Sequence, residues 1–197
     1  MIKYILLQLL VIAIVVILIY YLSKKSKSEA IYVKSSADNK EYLVQNLENK
    51  EEAAYVLGII KKRINILKEY LQKNINKYPE YKSYIEQFCK RINGIVLYEN
   101  PPDGKYTSFT VNKGDEIALC LRSKNGYNLH DLNLIMYVVI HELAHVACPE
   151  VDHTELFKKI FIFLLTISID INIYKKQDYE AYPVEYCGLI INENLLG

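Results

Sequence analysis

The sequence predicts an α+β domain, helices plus a small antiparallel sheet, carried behind an N-terminal transmembrane helix. Three observations predict it. Nineteen residues from Tyr4 to Leu22 carry no charge. Two later stretches repeat apolar residues every three or four positions, the signature of amphipathic helices. Between positions 95 and 122 the pattern changes to short β-prone runs broken by turn residues.

The 197 residues suffice for one globular domain, and Gly plus Pro at only 12 positions excludes disordered and collagen-like classes. Net charge is +1, but residues 28–197 hold all 23 acidic residues and 20 of the 24 basic ones, a net −3. A mildly acidic domain is a poor holder of nucleic acid by phosphate neutralisation, and Lys61, Lys62, Lys68 and Lys73 read as a solvated helix face, although the short run Lys61-Lys62-Arg63 leaves weak binding open.

In chain order, residues 1–23 read as a retained membrane anchor. At about 1.5 Å per residue the uncharged run covers roughly 28 Å, near the thickness of a bilayer core. It ends on Tyr20-Tyr21, followed by Lys24, Lys25 and Lys27. The lysines outweigh Lys3 and place the C-terminal domain on the cytoplasmic side of a single-pass membrane protein. Residues 24–50 are polar and without period, a linker; 51–197 form the domain.

Val56, Ile60, Ile64, Leu67, Leu71 and Ile75 define one helix. Tyr81, Ile85, Phe88 and Ile92 define a second, starting at Pro79 and stopped by Asn93-Gly94. Ile95–Glu99 is a short strand, residues 101–104 a turn, and Tyr106–Val111 with Glu116–Arg122 a hairpin. A helix runs from about Asp131 to before Pro149, another from about Thr154 to Ile169. The tail from Tyr174 reads as irregular. Cys89, Cys120, Cys148 and Cys187 form no Cys-x-x-Cys pair and read as four reduced, largely buried thiols, although an even count permits two disulfides.

Three of the four histidines fall within thirteen residues: His141, His145 and His153. His141-Glu142-Leu143-Ala144-His145 places two imidazoles one turn apart on one helix face, with a carboxylate beside them. This is the HExxH arrangement of zinc peptidases: His141 and His145 ligate Zn2+, and Glu142 takes a proton from the zinc-bound water that attacks a peptide carbonyl. A catalytic zinc needs a third protein ligand and an open position. Pro149 lets the chain turn back, making His153 the candidate; Glu150, Asp152, Glu155, Cys148, Glu180 and Glu185 are its rivals. His130 reads as a surface or capping residue. One of Tyr179, Tyr182 or Tyr186 could donate to a tetrahedral intermediate, although packing explains any single tyrosine as well.

The stretch from His141 to Phe157, with His153-x-x-x-Phe157 after HELAH, resembles the WLM and SprT-like (Spartan-type) zinc metallopeptidases. The resemblance covers about residues 95–165. It implies a minimal zincin-like fold, His141, His145 and His153 as zinc ligands, Glu142 as catalytic base, a protein or peptide substrate, and Phe157 packed behind the metal. The Gly-Pro flanking the third histidine in that family is absent, and no zinc ribbon or basic DNA-binding tail is present. Pro183-Val184-Glu185-Tyr186-Cys187-Gly188 adds a likeness to WLM-like proteins encoded by large DNA viruses. The alternative is a non-catalytic membrane or virion component retaining a structural zinc. A multi-span prenyl-processing protease lacks support, since neither its extra spans nor its downstream acidic motif is present.

Overall fold

A computed structural model describes residues 2–26, 30–102, 104, 106–193 and 195–196; within the first helix it describes side chains only at 3–4 and 8–19. That helix, α1 (Ile2–Ser26), forms where the apolar run predicts one. The expected single-pass anchor is nevertheless corrected: among the described residues no helix is long and apolar enough to cross a membrane. The side chains of Tyr20, Tyr21, Lys24 and Lys25 are not described, and Lys27 lies outside the described residues, as does Asp103 of the expected turn.

The polar linker expected at 24–50 is also corrected. It holds β1 (Ala30–Lys34) and β2 (Glu41–Gln45), an antiparallel pair in register from Ala30 opposite Gln45 to Lys34 opposite Glu41. These runs are only five residues long, and the polar turn between them masks their period. Tyr42 and Val44 alternate into the core. The turn is fixed by Asn39, at φ 62°, and by backbone bonds between Ser35 and both Asn39 and Lys40.

Helix α2 (Lys50–Asn74) follows, burying Leu57, Ile60, Ile64, Leu67 and Leu71 along one stripe. Each such burial is worth about 1.5–3 kcal/mol. It packs on β1, β2 and β3 (Val96–Asn100). At Gly58 the helix lies so close to the β1–β2 turn that a Cβ would strike Ser35 and come within 2.9 Å of the Ala37 methyl. Helix α3 (Lys82–Arg91) enters through a short 3-10 turn beginning at Pro79.

The middle region supplies β3, β4 (Phe109–Val111) and β5 (Glu116–Cys120), giving a five-stranded sheet ordered β1-β2-β3-β5-β4. The expected hairpin is present as the antiparallel β4–β5 pair. The expectation of an antiparallel sheet is corrected: β2–β3 and β3–β5 are parallel. Two helices carry the chain from β2 back to the start of β3, as a parallel pair requires, and β4 turns the chain so that β5 runs with β3. Strand β4 is an edge strand.

Helices α4 (Leu132–Ala147) and α5 (Glu155–Asp170) pack against each other, and α4 also meets α3, β4 and β5. The tail is not irregular throughout: β6 (Val184–Tyr186) and β7 (Leu189–Ile191) form a separate two-stranded sheet. Cys120 and Cys187 are joined in a disulfide, correcting the reading of four thiols, while Cys89 and Cys148 remain free and buried. The two cysteines are 67 residues apart, so only the fold brings them together; a loop that long disfavours the unfolded chain by roughly 4 kcal/mol in the chain-entropy account. Beside it, Arg122 Nε donates to Glu99 Oε1 at 2.7 Å, and the backbone N–H of Gln45 donates to Glu99 Oε2 at 2.7 Å. Arg122 and Glu99 are both about 1% exposed, a salt bridge sealed inside the sheet.

Candidate metal centre

Helix α4 starts at Asp131, whose carboxylate accepts from the N–H groups of Asn133 and Leu134 at 2.8 and 3.2 Å. That N-cap and the buried face through Leu134, Ile135, Val139 and Leu143 fix the helix rotation. His141 and His145 then share one face, and Glu142 turns into the protein, 6% exposed.

The far end of α4 is held from three directions. Gln87 Nε2 donates to the Ala147 carbonyl at 2.8 Å and Arg91 Nη1 to that of Val146 at 2.8 Å. Lys113, from the β4–β5 turn, donates to the carbonyls of Cys148, Pro149 and Glu150 at 3.2, 2.7 and 3.1 Å. These donors satisfy carbonyls that a helix end leaves without partners. The chain reverses through Asp152, at φ 67°, a conformation that Asp tolerates better than most residues. Thr154 then caps α5 by accepting from the Phe157 N–H at 3.2 Å. His153, between the reversal and the cap, points back at α4.

The outcome is a cluster of three imidazoles. His153 Nε2 lies 3.0 Å from His141 Nε2 and 3.3 Å from His145 Nε2. A tetrahedral metal with nitrogens at about 2.0–2.1 Å requires nitrogens roughly 3.3 Å apart, so the three residues fit such an ion. They are the group that could hold a metal ion among the described residues, their ligand atoms lying within 4.8 Å of one another. Burial first, then the two neighbouring imidazoles, pushes His141 down to about 3. Burial and His153 push His145 down to about 4. Both rings are therefore neutral at pH 7, with lone pairs available.

Phe157 backs the cluster. Its ring stacks on His145 at 4.1 Å between centroids and lies 5.0 and 4.9 Å from His141 and His153. Burial pushes the Glu142 carboxyl up to about 7, against the opposing effect of Thr110, whose hydroxyl donates to Glu142 Oε2 at 2.8 Å. Thr110 sits in β4, so the carboxylate is tied to the sheet edge. It carries no sequence motif; only its place in the hairpin strand before the motif helix pointed toward it. Lys113 was equally unmarked.

Cluster and carboxylate open into a cleft of about 1030 Å³, bounded by β4, α4, α5 and the β6–β7 tail. The rival ligands are elsewhere or otherwise engaged. Glu150 accepts from Thr154, Glu155 pairs with Lys158 at 2.9 Å, and Glu185 accepts from Ser123 and Gly188. Asp152 lines the cleft, Glu180 is exposed, and Cys148 is buried; none of the three joins the cluster. His130 is half-buried beside Tyr186, its Nε2 accepting from the Cys187 N–H at 3.3 Å. Tyr186 borders the cleft, but its hydroxyl donates to the Cys120 carbonyl at 2.7 Å and meets Ser108 Oγ at 2.7 Å. Tyr179 is buried and Tyr182 exposed, and neither borders the cleft.

No known family profile matches the chain. It is 68% identical over 193 residues to uncharacterized protein R325 of Acanthamoeba polyphaga mimivirus, covering 98% of each chain. Uncharacterized protein 136R of Invertebrate iridescent virus 6 is 27% identical over 177 residues, 86% of this chain and 89% of that one. Among solved structures, the crystal structure of Wss1 from Saccharomyces cerevisiae superposes with a TM-score of 0.49 at 23% identity, over 66% of this chain and 88% of that one. With the first of these relatives matched along nearly its whole length, the chain belongs to the viral protein family of mimivirus uncharacterized protein R325.

Proposed function

We propose that this protein is a zinc-dependent metallopeptidase that hydrolyses peptide bonds in a protein substrate. The observation that carries the reading is the convergence of three imidazole nitrogens and one buried carboxylate on a single open cleft. His141, His145 and His153 would hold the ion, which would supply a Lewis acid and an acidified water. Zinc rather than a harder cation fits a set of three neutral imidazoles.

The remaining work falls to this chain's own groups. Glu142, pushed up to about 7, is poised to accept a proton near neutrality and to return it to a leaving amine. Thr110 holds one of its oxygens, leaving the other for that exchange. Strand β4, paired on one side with β5, offers its outer edge to an extended peptide by strand addition. The HELAH-to-Phe157 resemblance to WLM and SprT-like peptidases points the same way.

The test is Glu142→Gln in the full chain with a denatured protein as substrate. Zinc content stays at one per chain while cleavage falls to background, and a chelator abolishes cleavage by the unaltered protein. Cleavage surviving in Glu142→Gln sinks the mechanism. Zinc bound without any cleavage moves the reading to a structural zinc.

A further inference from the structure

One boundary of the cleft does not belong to the main fold. Ile190 and Ile191 of β7, with Glu193 beyond it, line the cavity, yet among the described residues β6 and β7 pair only with each other. A lone two-stranded hairpin is marginal in water, so its attachments decide where this wall stands. Val184 and Ile191 pack against the core at the hairpin's open end, while the polar and covalent ties cluster at the turn end. Cys187, in the hairpin turn, is bonded to Cys120 at the end of β5. The Tyr186 hydroxyl reaches the Cys120 carbonyl and Ser108, the Cys187 N–H donates to His130, and Ser123 Oγ donates to Glu185 at 3.1 Å. Of these ties only the disulfide is covalent.

The metal cluster, by contrast, contains no sulfur. Its imidazoles come from α4 and the turn before α5, and its supports from α3 and Lys113. The two halves of the cleft therefore depend on different chemistry.

We propose that the cleft is completed by an oxidative maturation step: closure of the Cys120–Cys187 disulfide fixes the β6–β7 hairpin as a wall of a site whose metal centre forms without it. The co-reactant is a disulfide donor, a small-molecule disulfide or a protein carrying one. One cysteine thiolate attacks the donor, giving a mixed disulfide, and the other displaces the donor's second sulfur. The chain loses two electrons and two protons, and the donor leaves as a dithiol or two thiols. Once closed, the bond is shielded, Cys187 being 0% and Cys120 1% exposed. Attacking thiolates need access to sulfur, so outside thiols reopen the closed bond slowly.

The experiment compares the oxidised full chain with the full-length Cys120→Ser/Cys187→Ser variant, by amide hydrogen exchange and zinc content. In the variant the amides of β6 and β7 exchange at least about tenfold faster, those of α4 are unchanged, and zinc per chain is unchanged. Oxidised glutathione added to reduced wild type restores hairpin protection with the loss of two hydrogens in mass. Tyr186→Phe, which keeps the disulfide, keeps most of the protection. Hairpin amides unaltered in the double variant overturn the proposal. So does loss of α4 protection or of zinc, which would make the disulfide a support of the whole fold, or an equal loss in Tyr186→Phe, which would make the hydroxyl the clasp. Cleavage is not among the readouts, so the inference stands or falls separately from the peptidase reading.

Discussion

The two sides of the cleft are built on opposite plans. The metal side comes from thirteen consecutive residues, His141 to His153, on one helix and the turn after it. The other side is assembled from β4, the end of β5 and a C-terminal hairpin that reaches back 67 residues to find its anchor. Local construction makes the first side stiff and readable from spacing. Long-range construction leaves the second conditional on the sheet, a buried ion pair and a covalent bond. A site made this way can lose one side while keeping the other.

The sharpest way to break that comparison is to remove a histidine. His145→Ala should weaken zinc binding by more than about 100-fold in a competition titration, since losing a mere supporting contact costs 10–100-fold. Hairpin exchange should not respond. If the hairpin loosens as well, the two sides are not independent.

On the sheet side, Arg122→Met leaves Glu99 charged and buried with no cation, and should cost about 3–5 kcal/mol in denaturant unfolding. Glu99→Leu combined with Arg122→Met should recover most of that loss. A single variant as stable as wild type would mean the pair is dispensable to the wall. Lys113→Ala addresses the seam between the sides, because this lysine of the β4–β5 turn grips the carbonyls that lead to His153. Zinc affinity should fall by about tenfold, the low end of the range for an outer-shell support.

The smallest effect is a pH dependence away from the cleft. Burial pushes Lys61 down to about 8, while its Nζ donates to the Ile95 carbonyl at 2.6 Å. Between about pH 8 and the ordinary lysine value of 10.5 the unfolded chain binds more protons at this group than the folded chain. Its contribution to stability therefore rises with pH across that window. Lys61→Met should flatten the denaturation midpoint between pH 8 and 10 relative to wild type.

The same division governs what was legible in the sequence. The helices were readable because a repeat of three and four survives any tertiary context, as in Ile60, Ile64, Leu67 and Leu71. HExxH was readable because it is a statement about one helix face. The β1–β2 pair was not, since five-residue strands around a polar turn leave too few positions to establish a period. Parallel pairing was hidden because strand direction is set by the crossover and not by the strand's own residues. The disulfide, Thr110 and Lys113 are facts of proximity, and single residues without a motif carry no trace of what they will meet. The uncharged N-terminal run shows the reverse hazard. Its helix is present, but the described residues hold no span long and apolar enough to cross a membrane.

Phe157 has a thermodynamic consequence. With its ring against all three imidazoles, the rings already stand at near-tetrahedral spacing. An ion arriving there need not order side chains first, so its free energy of binding is not spent on folding the site. The protein then gains stability through mass action alone. Melting temperature should climb with the logarithm of free zinc above the dissociation constant, each tenfold increase adding about 1.4 kcal/mol.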